Sequence, residues 1–172
     1  MSNVPVILDV YTPGTLFLAG VPFQCALGPA GIVLDKREGD GGSPVGAFPL
    51  RRVLYRPDRL EPPETLLPVY AISDRDGWCD DPTRPEYNQH IILPHVATHE
   101  RLWRDDHIYD VIVEVGYNDN PPVSGKGSAI FMHVARAEYA PTQGCVALQL
   151  DDLLRVLRVC GPAAVLQINP PA

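Results

Sequence analysis

Basic residues are scarce in this chain. Lys and Arg total 14 against 21 Asp and Glu, for a formal charge of −7, and the pI is near 5.1. No basic residue precedes Lys36, and no basic run appears later. An acidic surface without such a run repels phosphate backbones, so nucleic acid is not an expected partner. Long uninterrupted apolar stretches are also missing. Val10 to Leu34 is uncharged, but Pro13, Pro22 and Pro29 with Gly14, Gly20, Gly28 and Gly31 cut it into strand-length pieces. That pattern predicts hairpins and no membrane span. Cysteine is limited to Cys25, Cys79, Cys145 and Cys160, without CxxC spacing, which excludes a zinc ribbon or a disulfide scaffold and reads Cys25 and Cys160 as small buried hydrophobes. The first ten residues lack the basic and apolar regions of a secretory signal, which taken literally predicts a cytoplasmic protein.

What is plentiful is punctuation. With 19 prolines and 14 glycines, the 172-residue chain has little room for long helices, and an all-helical bundle is excluded. Apolar residues make up 45%, enough for the core of one domain over residues 1–172. Strands are predicted at Pro5–Val10, Leu16–Leu18, Pro22–Leu27, Ile32–Leu34 and Ala47–Tyr55. Arg56 to Pro94, rich in proline and aspartate, reads as a surface excursion. Tyr109–Tyr117 and Ser128–Val134 are further strands, the second a candidate central one. Leu150, Leu153, Leu154 and Leu157 form one apolar stripe, predicting a single amphipathic helix capped by Asp151 and stopped by Gly161-Pro162. Ala163–Ile168 closes a mainly β fold.

The densest chemistry lies at Ser128–His133 and Thr142–Leu148. A strand ends in His133, and twelve residues later Gly144 immediately precedes Cys145. A thiol needs a base or a positive charge to become a thiolate, and an imidazole within ~3 Å supplies either. Gly144 permits close backbone approach, and the amides around it point to an oxyanion site. This arrangement predicts a Cys145 thiol whose pKa lies well below 8. His95 and His99, flanked by His90 and His107, raise the question of a zinc site. Pro94 and the lack of an HExxH acid count against it. Asp74-Arg75-Asp76-Gly77 lacks the glutamate of a calcium loop and reads as a turn. No metal and no cofactor is expected.

Thr142-Gln143-Gly144-Cys145-Val146-Ala147-Leu148 and Asp40-Gly41-Gly42-Ser43-Pro44-Val45-Gly46-Ala47-Phe48 together resemble the two motifs of the L,D-transpeptidase catalytic domain, the YkuD-type family. The likeness runs from about Val4 to Ile168. It implies a β-sandwich or barrel-type domain with one amphipathic helix after the catalytic motif. It further implies that Cys145 is the nucleophile, His133 the general base oriented by a backbone carbonyl, and Gly144 the oxyanion backbone. The implied partners are bacterial peptidoglycan stem peptides or muropeptides, and the implied compartment is the periplasm or cell envelope. The thiolate attacks the carbonyl after the L-centre of diaminopimelate, D-alanine leaves, and the acyl group passes to an amine. Tyr117, Asn118, Arg136, Thr142 and Gln143 are the substrate-binding candidates. Aromatics beside paired carboxylates, at Trp78–Asp81 and Trp103–Asp106, are a second place to grip a cationic diaminopimelate. One departure is Ala147, where many members carry Arg or Asn. The competing readings are a carboxypeptidase, with water as acceptor, and a catalytically silent module that binds cell-wall peptide.

Overall fold

A computed structural model describes residues 4–172. Strand β1 (Ile7–Tyr11) buries Leu8 and Val10 and turns into β2 (Thr15–Leu18), which pairs with it antiparallel. Ala19 and Gly20, at φ 49° and 80°, then make the two-residue turn into β3 (Val21–Gln24). Two positive φ values in succession suit the right-handed twist of a tight hairpin. Short β4 (Ile32–Val33) and β5 (Ser43–Pro44) pair parallel, and β6 (Gly46–Tyr55) is the ten-residue spine of the molecule. After it come β7 (Val69–Ala71), β8 (Asp76–Cys79), β9 (His90–Ile92), β10 (His99–Arg101), β11 (Val111–Val115), β12 (Phe131–Val134), β13 (Val146–Leu148), helix α1 (Leu150–Leu157) and β14 (Val165–Ile168).

The main sheet runs β13-β12-β11-β6-β14-β1-β2-β3, with β7 alongside β6. Just beyond β3, Ala26 donates to the Ala147 carbonyl at 2.8 Å and accepts from the Ala147 N–H at 3.0 Å. These two bonds join the ends of the sheet into a nearly closed barrel, with β13 at the seam.

Alternation along the strands divides the core in two. Val111, Val113 and Val115 of β11, Met132 and Val134 of β12, and Val146 and Leu148 of β13 face the barrel interior, which α1 plugs with Leu153, Val156 and Leu157. Ile112 and Phe131 face the other way, into a second cluster with Leu54, Ile72, Trp78, Leu102, Tyr109 and Cys145. The strand period of two thus puts one face of β11–β12 inside the barrel and the other under a covering layer.

That covering layer corrects the expectation of a bare surface excursion. Residues 69–101 form a three-stranded sheet, β10-β8-β9, together with β7, and they bury Ile72, Trp78, Tyr87 and Asn88. Strands of three or four residues are too short to show a period, and their burial rests on side chains that carry their own hydrogen bonds. Asn88 is the hub. Its Oδ1 accepts from Trp78 Nε1 at 2.9 Å and from the Ala129 N–H at 3.0 Å. Its Nδ2 donates to the carbonyls of Tyr117 and Asn118 at 3.0 and 2.7 Å. Asn88→Ala removes four hydrogen bonds at once, two of them buried and two part-buried, so it is expected to destabilise the fold by about 3 kcal/mol. Urea unfolding monitored by Trp fluorescence measures this, and a loss under ~1 kcal/mol would contradict the hub.

Two further boundaries move. The helix starts at Leu150 with Gln149 at its N-cap and no side-chain cap bond, so Asp151 is not the cap. Asp151 and Asp152 instead occupy the first turn, where carboxylates meet the positive end of the helix dipole. The strand predicted over Ser128–Val134 starts at Phe131 because Ala129 takes φ 53°, outside the extended region. It is flanked on both sides, by β11 and β13, and is buried along its whole length, as expected of a central strand.

Candidate active site

Between β12 and β13 the chain must turn and return parallel, and it does so through residues 135–145. Thr142 sets the last turn. Its N–H reaches the Leu27 carbonyl at 3.0 Å, its hydroxyl donates to the Cys145 carbonyl at 2.8 Å, and the same oxygen accepts from the Gly144 N–H at 3.0 Å. Gly144 has φ 123°, and a Cβ there would stand 2.6 Å from the Gly42 carbonyl oxygen. A Cβ on Gly28 would stand 2.0 Å from the Gly41 carbonyl oxygen. The Asp40–Ser43 loop therefore packs backbone to backbone against the turn that carries Cys145. Asp40 holds that loop, accepting from the Gly42 N–H at 2.8 Å and the Arg37 N–H at 2.7 Å. Two motifs far apart in sequence form one wall.

Register then places the two reactive side chains. In the parallel β12–β13 pair, Met132 stands beside Val146 and His133 beside Ala147. Cys145 thus flanks Phe131, two positions before His133, on the same face of the sheet. The Phe131 N–H donates to Cys145 Sγ at 3.4 Å, and the thiol donates to the Ala129 carbonyl at 3.2 Å. His133 Nδ1 donates to the Val134 carbonyl at 2.9 Å, which fixes the tautomer and leaves Nε2 as the bare nitrogen. The Tyr109 ring meets the imidazole edge-on, centroids 5.3 Å apart at 79°. Ala147 is fully buried, so this chain presents no long side chain beside His133.

Cys145 and His133 open on one cavity of about 230 Å³. Its walls include Thr142, Gln143 and Arg136, the backbone of Gly39, Gly41 and Ala129, and the charged side chains of Lys36, Glu38, Asp80, Glu100 and Arg104. Tyr117 and Asn118 lie outside it. The Tyr117 hydroxyl donates to the Lys126 carbonyl, and Asn118 Nδ2 bonds the Val123 and Gly127 carbonyls at 3.0 and 2.9 Å, so both secure the 117–127 loop. Trp78 is buried against Phe131, and Trp103 lies under the Arg56 guanidinium at 3.6 Å. Of the acidic residues beside these tryptophans, Asp80 alone lines the cavity. The four other histidines have partners of their own: His90 bonds Asp76, His107 bonds Asp110, and His95 and His99 bond the Ala97 backbone.

The electrostatics of the cavity do not favour the expected acidic thiol. Burial pushes the Cys145 thiol up to about 12; the nearby Glu100 charge adds to this, and the Phe131 N–H and Lys36 only partly oppose it. Burial takes His133 down to about 4, with Arg136 and Arg104 disfavouring the imidazolium further. Both shifts favour a neutral thiol and a neutral imidazole, with burial the largest cause of each. The Gly144 N–H is committed to Thr142, whereas the Cys145 N–H has no acceptor among the described residues.

Several site residues carried no sequence signal. Glu100 sits in a segment without a motif and Tyr109 at the start of a strand without one, and only the fold brings them to the cavity. In comparison with known proteins, the family model described as YkuD, the L,D-transpeptidase catalytic domain, matches residues 6–168. No curated protein and no solved structure matches the chain.

Proposed function

The chain belongs to the YkuD family of L,D-transpeptidase catalytic domains, and from this we propose that it is a cysteine acyltransferase acting on peptidoglycan stem peptides. Cys145 Sγ attacks the carbonyl that follows the L-centre of diaminopimelate as His133 Nε2 takes the thiol proton. The Cys145 N–H meets the charge developing on the carbonyl oxygen. The C–N bond then breaks, the amine of D-alanine receives the proton from His133, and a thioester remains. An amine of a second stem attacks this thioester, its proton returning through His133 to the sulfur. Water in place of the amine gives the carboxypeptidase outcome. In this reading Gln143 and Arg136, which line the cavity, meet the peptide backbone and its carboxylates. The natural setting of this activity is the periplasm or cell envelope; in the cytoplasm the same chemistry would act on recycled muropeptides.

The observation that supports the reading is the shared face: His133 pairs with Ala147, Cys145 lies two positions earlier on the same face beside Phe131, and both line one cavity. Mass spectrometry of a stem tetrapeptide incubated with the protein tests it. A cross-linked dimer identifies a transpeptidase, and loss of D-alanine alone a carboxypeptidase. Intact tetrapeptide with unmodified Cys145 would leave only the silent module.

A neutral resting pair has a pH signature. Because protonated His133 cannot accept the thiol proton, kcat/KM should hold on the acid side until about pH 4, well below the ~6.5 of a free imidazole. Alkylation of Cys145 by iodoacetamide should rise about tenfold per pH unit through pH 9 without levelling off. An acid limb near pH 6.5, or a plateau in alkylation below pH 8, would show instead an ion pair in the free enzyme.

A further inference from the structure

Residues 102–110 form no helix or strand, yet Arg104, Ile108 and Tyr109 from this loop line the cavity. The loop is held from outside, by the turn that follows β6. There the Arg59 and Leu60 N–H groups both donate to the Arg56 carbonyl, at 3.1 and 3.2 Å. Arg56 donates to the Arg104 carbonyl at 2.6 Å, and Arg59 donates to the Asp105 and Asp106 carbonyls at 3.0 and 2.7 Å. Among the described residues none of these three successive carbonyls accepts a backbone N–H. Both arginines are anchored in turn. Arg56, whose side chain is 5% exposed, takes Asp58 through two hydrogen bonds at 2.8 and 2.9 Å and stacks on Trp103. Arg59 takes the buried Asp110 carboxylate at 2.6 Å, and the exposed His107 meets the other oxygen of that carboxylate at 2.7 Å.

A guanidinium presents its N–H donors in one rigid plane, so it fixes carbonyls in direction as well as in distance. Fixing three in a row sets the path of the residues that follow. The Ile108 carbonyl accepts the Val134 N–H at 3.0 Å, one residue past His133, and the Tyr109 hydroxyl donates to Glu100 at 2.8 Å. Between these two bonds the Tyr109 ring is laid edge-on against the imidazole. Arg104 folds back onto Asp106 and lies 5.5 Å from the centre of the same ring. Neither Arg56 nor Arg59 lines the cavity, so what they do for His133 they do through this loop.

We propose that Arg59, assisted by Arg56, is a positioning residue for the acyl transfer: the clamp on the 104–106 carbonyls presses Tyr109 onto the His133 imidazole and keeps water from it. The inference rests on the acyl-transfer reading and deepens it. The groups that bear on the imidazole are Tyr109 and the Arg104–Asp106 pair from this loop, Arg136 from the β12–β13 connection, and Cys145 beside Phe131. Burial is the largest of the influences that take His133 down to about 4. A loosened clamp admits water, so the titration of His133 must move up, toward the ~6.5 of a free imidazole.

The test is Arg59→Lys in the intact protein, since a lysine keeps a cation for Asp110 but cannot span the two carbonyls. Two quantities are read: D-alanine release from a stem tetrapeptide, and the His133 titration by ring-proton NMR, with His133→Gln assigning the resonance. Arg59→Lys is expected to lower kcat about tenfold with KM within about twofold. The His133 titration should rise by about one pH unit. Arg56→Lys, which gives up the fork to Asp58 and the stacking on Trp103, should move both in the same direction, and it decides by the same criteria if Arg59→Lys does not fold. Arg51→Lys is the control for a merely structural loss, because the two hydrogen bonds of Arg51 to Asp119 hold a different loop. It should leave kcat and the titration where they were. An unchanged kcat or an unmoved titration in the folded Arg59→Lys protein, or equal shifts in Arg51→Lys, overturns the proposal. If the parent protein releases no D-alanine, the acyl-transfer reading falls, while the His133 titration still decides whether the clamp keeps the imidazole dry.

Discussion

Cys145→Ala is expected to lower turnover of a stem tetrapeptide by roughly 10⁴-fold or more, to the level set by binding and an oxyanion donor alone. No other thiol stands in for it. Cys25 and Cys160 belong to the barrel interior, where burial pushes them up to about 12 and about 11, and Cys79 lies in a small separate cluster with Ile91, Leu93 and Ala97. The fold should survive the change. Sγ contributes two weak bonds, to the Phe131 N–H and the Ala129 carbonyl, and a small apolar volume in the cluster around Phe131. Their loss costs about 1 kcal/mol. The measurements are D-alanine release, intact-protein mass after incubation with tetrapeptide, and thermal unfolding. Undiminished release from a folded Cys145→Ala protein would remove the proposed mechanism; a protein that fails to fold would be replaced by Cys145→Ser, which keeps the volume and the donor.

Gly144→Ala is the second large effect, and it acts on stability and activity together. A methyl group at this position would sit 2.6 Å from the Gly42 carbonyl oxygen, a backbone atom that can move only with the whole Asp40–Ser43 loop. The φ of 123° is itself closed to an L side chain. Relief requires the Cys145 turn or the opposing wall to back away, which dismantles the cavity. A loss of about 3 kcal/mol or more is expected, with activity near background. Gly20 is the internal control. It also has positive φ, but nothing lies within 4 Å of its would-be Cβ, so Gly20→Ala should cost only about 1 kcal/mol. Equal midpoints for the two variants in urea would show that close packing of the two loops does not set the turn.

The parts of this molecule that were legible in the sequence are those where a period or a punctuation mark had room to show. The β1–β3 hairpins, the alternating Val111, Val113 and Val115, and the stripe of α1 all read correctly to within a few residues. The two loops that carry Asp40–Ser43 and Thr142–Cys145 could be paired only through family resemblance, and the structure supplies the physical link in the contacts of Gly28, Gly41, Gly42 and Gly144. Segment 69–101 was not legible because its short strands are held by individual polar contacts, such as those of Asn88, which leave no pattern. Tyr117 and Asn118 were misplaced for a related reason: both side chains bond backbone carbonyls of their own loop, which spacing cannot distinguish from facing a cavity. The protonation of the Cys145–His133 pair was unreadable in principle, since it follows from burial and not from neighbours in the chain.

The seam between Ala26 and Ala147 has a consequence for how the reactive sulfur comes into being. Two hydrogen bonds from distant parts of the chain fasten the strand that begins one residue after Cys145. In chain order the β1–β3 hairpins, the Asp40–Ser43 loop and His133 all precede Cys145, so the barrel can close only once the strand just after the cysteine has been made. Closure also leaves this strand no free border on which a second molecule could template itself. The thiol is thereby set beside a strand that is already paired on both sides once the ring is complete.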